Sequence, residues 1–84
     1  MSKSFSGKSV LITGAGGGIG RHLVDGFLEN GARVIGADLA TESLDALSKE
    51  YTTKALETIK LDIGDSQACD AVAKEFGHID ILIN

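Results

Sequence analysis

The sequence predicts an α/β fold, with four strands of a parallel sheet alternating with three helices in the order βαβαβαβ. Three observations carry this reading. Short runs of Val, Ile and Leu recur along the 84 residues, as expected of parallel strands buried on both faces. Between them, apolar residues fall three and four apart, the spacing of an amphipathic helix. The connections are short, so each strand–helix–strand unit is expected to wind as a right-handed crossover.

The first strand is the run Val10-Leu11-Ile12, and the first helix runs from about Gly18 to Asn30. Ile19, Leu23 and Phe27 lie at i, i+4 and i+8, on the stripe expected to face the sheet. Gly26 falls on that stripe; a glycine there costs about 1 kcal/mol relative to alanine, so its expected use is close approach of helix to strand. Gly31 is expected to end the helix. Arg33 to Asp38 reads as the second strand, and Thr41 to Tyr51 as the second helix, with Thr41 as N-cap and Leu44, Leu47 and Tyr51 on one face. The third strand is expected over Thr58 to Ile63 and the third helix over Ser66 to Phe76. That helix is capped by Asp65 or Ser66 and closed by Gly77, with Ala68, Val72, Ala73 and Phe76 inward. Ile79 to Asn84 completes the set as a fourth strand.

Chemistry concentrates between the first strand and the first helix, in Thr13-Gly14-Ala15-Gly16-Gly17-Gly18-Ile19-Gly20. Glycines there let the chain turn sharply and bring N–H groups close to a diphosphate, while the helix adds unpaired N–H groups and the positive end of its dipole. The spacing excludes a P-loop, because Arg21 and His22 follow Gly20 where Lys and Ser or Thr are required. It also departs from strict Gly-x-Gly-x-x-Gly, since reading from Gly14 puts Ile19 at the last position.

Thr-Gly-x-x-x-Gly-Ile-Gly after a buried-type strand resembles the cofactor loop of the short-chain dehydrogenase/reductase family. The resemblance implies a Rossmann-like parallel sheet with strand order 3-2-1-4. It makes Gly14, Gly18, Ile19 and Gly20 cofactor-binding residues. Asp38, 18 residues after Gly20, ends the second strand with a carboxylate that can accept from ribose hydroxyls and repel a 2′-phosphate, favouring NAD over NADP. Leu39 beside it joins the set. Asp62 and Ile63 fit the family's adenine-pocket pair, and Asn84 fits the first residue of its Asn-Ala-Gly turn. The family's catalytic Ser, Tyr and Lys come from later segments. Tyr51 lacks the Tyr-x-x-x-Lys pattern, since Ala55 stands four places on. The chain therefore carries expected binding residues and no expected catalytic ones, over about the first third of the family fold.

The 43% hydrophobic and 24% charged content is that of one globular domain spanning residues 1–84. A net charge of −4 argues against nucleic acid or an anionic membrane as partner. Apolar runs fall far short of the roughly 20 residues that span a bilayer, and the N-terminus lacks a signal-peptide core, so a cytoplasmic location is the default. Cys69, in a helical pattern, reads as a small filler. His22 and His78 have no third ligand at useful spacing, so no metal site is expected.

With strand order 3-2-1-4, two helices cover one face of the sheet and one covers the other, and the last strand is an open edge. Such an edge is a template for pairing, so a homo-oligomer, or a piece of something larger, is expected. Three functions remain open: the NAD-binding N-terminal portion of an oxidoreductase, a stand-alone nucleotide-binding module without catalysis, and a self-assembling unit that binds nothing.

Overall fold

The computed structural model describes residues 4–62 and 66–83, without the side chains of residues 66, 68 and 69. The elements are β1 (Ser9–Thr13), α1 (Gly18–Glu29), β2 (Arg33–Asp38), α2 (Thr41–Glu50), β3 (Leu56–Lys60), α3 (Ser66–Phe76) and β4 (Ile81–Ile83). Every strand pairing is parallel, and the order is β3-β2-β1-β4, the Rossmann-like arrangement.

Side chains alternate across the sheet with the period of two that strands impose. Val10 and Ile12 of β1 and Val34 of β2 join Val24 of α1 and Leu47 of α2 in one core, to which Ile81 and Ile83 of β4 are packed. Leu11, Ile35 and Ala37 point the other way, to Leu61 and Val72, with Phe76 of α3 packed against them. Two helices thus cover one face and one the other. Leu82 alternates onto the α3 side and is 58% exposed.

The α1 terminus is set by local chemistry. Gly31 takes φ +87°, which an L side chain resists, and its N–H donates to the Leu28 carbonyl while Ala32 N–H donates to Phe27. This pair of bonds satisfies carbonyls left open at the helix end. Gly77, at φ +78°, follows α3 in the same conformation. At the N-terminal edge of the sheet, the Arg33 guanidinium donates to the Phe76 carbonyl at 3.1 Å, pairs with Glu57 at 3.0 Å and lies over the Phe76 ring. A cation is favourable at a helix C-terminus, so this contact ties α3 to β2 and β3.

Several expectations are corrected. Ile19 is 81% exposed, because the first turn of α1 stands beyond the strand ends; Val24 takes the fully buried place, flanked by half-buried Leu23 and Phe27. Nothing lies within 4 Å of where a Gly26 side chain would start, so that glycine serves no close approach. The N-cap of α2 is Ala40, not Thr41, and no side chain caps it. β3 begins two residues before the expected Thr58 and ends at Lys60, because its register pairs Leu56 with Val34 and Lys60 with Asp38. β4 is confined to three residues, with Ile79 and Asp80 outside it. Ala73 is exposed. The expected caps Asp65 and Ser66, and the placements of Ala68 and Cys69, lie outside the described residues or side chains.

Candidate functional site

Because the strands are parallel, Thr13, Asp38, Lys60 and Ile83 all end on one edge of the sheet. In open α/β sheets ligands bind outside the carboxyl ends of strands, where strand order reverses; here that is β1, between β2 and β4. Thr13 Oγ1 donates to the Ile83 carbonyl at 3.1 Å and holds the end of β4 against this point.

The glycine turn leaves β1 through Gly14, at φ +67°. It is then stitched to β2 residue by residue. Ala15, fully buried, donates its N–H to the Ala37 carbonyl at 3.1 Å. Gly16 N–H donates to Asp38 Oδ2 at 3.2 Å, and Gly17 N–H closes back on the Gly14 carbonyl at 3.1 Å. The other Asp38 oxygen accepts from Ala40 N–H at 3.1 Å. The carboxylate therefore joins the turn after β1 to the turn after β2.

The N-terminus of α1 is open. Gly17 is its N-cap and offers no side-chain bond, the first turn holds no acidic residue, and Arg21 N–H makes the bond to the Gly17 carbonyl. The N–H groups of Gly18, Ile19 and Gly20 have no acceptor within the helix. Gly20 is required by packing: a Cβ there would stand 2.8 Å from Ala15 Cα and overlap the Gly14 carbonyl. At Gly18 a Cβ would meet nothing within 4 Å. An anion with a diphosphate's bulk fits this arrangement, with space over Gly18, uncapped N–H donors and no carboxylate in the first turn.

Ile19 and Leu39, 81% and 57% exposed, flank this edge; with Leu82 they are the exposed large hydrophobic residues among those described. Leu61 N–H donates to the Asp38 carbonyl, which carries Asp62 to the same edge, where it is exposed. The structure so brings Gly14, Gly18, Ile19, Gly20, Asp38, Leu39 and Asp62 to one end of the sheet. Ile63 and Asn84 lie outside the described residues.

Two supports were not anticipated. Gly36 in β2 gives Ala15 its seat: a Cβ on Gly36 would come within 3.1 Å of Ala15 Cβ and 3.3 Å of Leu47 Cδ2. A glycine inside the strand Arg33-Val34-Ile35-Gly36-Ala37-Asp38 was the available signal, since it marks close backbone approach. Gly16 is likewise pressed against the Cβ of Ser43, in the first turn of α2; no pattern in the sequence links those two. A groove of about 390 Å³ runs from Gly18 between α1 and α2, lined by His22 and by two pairs that join the helices: Arg21 with Glu50, and Tyr51 donating to Asp25 at 3.0 Å. It is a clasp between helices. Burial, with Asp25 beside it, raises the Tyr51 phenol above its ordinary pKa. Among the described residues no group of three or more His, Cys, Asp or Glu could hold a metal ion, and no helix is long and apolar enough to cross a membrane.

A parallel sheet in this order, with a glycine turn and an open helix N-terminus at its switch point, defines a Rossmann-like α/β protein. The chain belongs to the short chain dehydrogenase family, whose model matches residues 8–84. It is 40% identical over 83 residues to a D-xylose 1-dehydrogenase of Caulobacter vibrioides, a match covering 96% of this chain and 34% of that protein. The chain thus spans about a third of the length of the curated relatives it matches. Among solved structures, a Brucella melitensis short-chain dehydrogenase/reductase of the glucose/ribitol dehydrogenase type superposes with TM-score 0.83 at 36% identity, covering 98% of this chain and 37% of that one. A 3-ketoacyl-(acyl-carrier-protein) reductase from Brucella melitensis, complexed with NADH, gives 0.80 at 32% identity, covering 94% and 34%. The N-domain of a bacterial malonyl-CoA reductase with NADP gives 0.79 at 35%, covering 96% and 17%.

Proposed function

We propose that this chain is the cofactor-binding N-terminal portion of an oxidoreductase that moves a hydride between a nicotinamide cofactor and a carbonyl or alcohol, and that it takes NAD in preference to NADP. Family membership supports the oxidoreductase class. Since the similar structures include one with NADH and one with NADP, likeness leaves the choice of cofactor open. The observation that carries the preference is Asp38: a carboxylate bonded to Gly16 at the turn, with lone pairs left for ribose hydroxyls and a charge that opposes a 2′-phosphate.

In this reading Gly14, Gly18 and Gly20 admit the diphosphate to the α1 N-terminus. Ile19 and Leu39 offer apolar surface to the rings, and Asp62, with Ile63, borders the adenine. Asn84 matches, by sequence, the first residue of the family's Asn-Ala-Gly turn. A bound nicotinamide would give hydride to a carbonyl or take it from an alcohol, and the residues of this chain would bind and orient the cofactor. The test is Gly18→Val. A side chain at that position enters open space, so helical circular dichroism should persist while NADH binding is abolished. Unchanged binding would show that the loop is only a turn.

The open edge supports self-association through a second copy. Among the described residues β4 has no neighbour on its far side, and Leu82 leaves apolar surface uncovered on the face that α3 shares.

A further inference from the structure

The carboxylate of Asp38 is already occupied before any ligand is considered. One oxygen accepts from Gly16 N–H and the other from Ala40 N–H. Ser43 stands beside that carboxylate, and its Cβ lies in the space that a side chain at position 16 would need, with Asp38 Oδ2 3.2 Å from the same place. The turn after β1 is thus held by residues from the end of β2 and the start of α2 together. Its inner end is fixed as well, by Ala15 seated on Gly36.

We infer that Asp38 and Ser43 form a latch on Gly16 that holds the diphosphate turn in its binding shape, making Asp38 a positioning residue for phosphate as well as a contact for ribose. The inference rests on the cofactor reading above and deepens it. A turn with several glycines has large conformational freedom, and binding is weakened by whatever ordering the ligand must impose. A bond from Gly16 to a side chain outside the turn, and a steric stop beside it, remove that freedom in advance. The latch also couples the two halves of the cofactor site: a substitution aimed at ribose recognition disturbs phosphate binding too.

Inorganic pyrophosphate separates the two roles, because it has no ribose. Asp38→Ala and Asp38→Asn both remove the charge, which would itself change anion affinity, but only Asn keeps an acceptor for Gly16 N–H. Asn has one acceptor oxygen where the carboxylate has two, so the ratio between these two variants reads the acceptor that the side chain offers to the Gly16 or Ala40 N–H, at equal charge. Pyrophosphate is expected to bind the Asn variant about three- to tenfold more tightly than the Ala variant, the range of one net hydrogen bond. In a second arm, Gly16→Ala should weaken NADH binding, and adding Ser43→Gly, which removes the worst overlap at position 16 and leaves Asp38 Oδ2 at 3.2 Å, should restore part of it. Circular dichroism on every variant checks that the fold is retained.

Equal pyrophosphate affinities in the two Asp38 variants, with NADH still bound by the unsubstituted chain, would overturn the latch and leave the cofactor reading standing. Failure of Ser43→Gly to restore binding would count against it in the same way. An unsubstituted chain that binds neither NADH nor pyrophosphate would overturn the cofactor reading, and the latch with it.

Discussion

Gly36→Val tests whether the sheet itself sets the shape of the phosphate turn. Valine suits a strand, and on propensity alone the change gains up to about 1 kcal/mol. The surroundings oppose it. The first added carbon already stands 3.1 Å from Ala15 Cβ and 3.3 Å from Leu47 Cδ2, tighter than ordinary van der Waals contact, and Val adds two methyl groups beyond it. Both neighbours are fully buried, so neither can move aside into solvent. Overpacking costs about 1–3 kcal/mol, and three added carbons against two buried side chains place this one at about 2–3 kcal/mol, which the full propensity gain reduces to a net loss of about 1–2 kcal/mol. In a domain of this size that lowers the thermal midpoint by roughly 4–16 °C. Cofactor affinity should fall as well, because the displaced residue is Ala15, whose N–H bond to Ala37 anchors the turn. Gly36→Ala is the graded control: its two tight contacts, without the further methyl groups of Val, are offset by about 0.4–1 kcal/mol of reduced freedom in the unfolded chain, for a net change near zero. Ala15→Gly added to Gly36→Val should recover part of both losses. Thermal melts followed by circular dichroism, with NADH titrations on the same samples, give the two readouts. A Gly36→Val chain with unchanged midpoint and unchanged affinity would refute the seating of Ala15 on Gly36 as the determinant.

Three further outcomes are expected. The Asp80 carboxyl is held below its ordinary value of 3.8, chiefly by the Ser9 N–H bond and then by His78 beside it, so it contributes stability that is present above pH 3.8 and lost as pH falls toward its lowered folded value. Urea midpoints measured from pH 6 downward should drop more steeply through that window for the unsubstituted chain than for Asp80→Asn, and parallel curves would contradict the assignment. Tyr51→Phe removes the bond to Asp25 and should cost ~0.5 kcal/mol; the phenol of the unsubstituted chain should ionise above pH 10, with an Asp25→Ala change moving its absorbance titration back toward 10. Leu82→Lys should shift sedimentation toward monomer without unfolding the chain, since that side chain is exposed in the single copy; a monomer in both forms at high micromolar concentration would refute association through this face.

The order of elements was legible because two periods dominate the sequence. Alternation in β1 and β2 sends Val10, Ile12 and Val34 to one side and Leu11, Ile35 and Ala37 to the other, and the composition of these runs shows it. Helix rotation was harder to read. Ile19 shares a stripe with Leu23 and Phe27, but it sits in the first turn, past the end of the sheet, where nothing remains to bury it. The ends of β3 were misplaced because they depend on pairing with β2, a partner some twenty residues away. At the site, the glycine turn and Asp38 could be recognised from spacing along the chain. Gly16 against Ser43, and Ala15 on Gly36, are contacts between segments distant in sequence, and only the fold brings them together.

In the proposed function the sheet edge holds NAD through the glycine turn and discriminates through Asp38. The decisive measurement is calorimetric titration of the chain and of Asp38→Ala with NADH and NADPH. The unsubstituted chain should bind NADH more tightly than NADPH, and Asp38→Ala should bind the two near-equally and more weakly. Equal affinity of the unsubstituted chain for the two cofactors, or a preference that survives loss of the carboxylate, would contradict it.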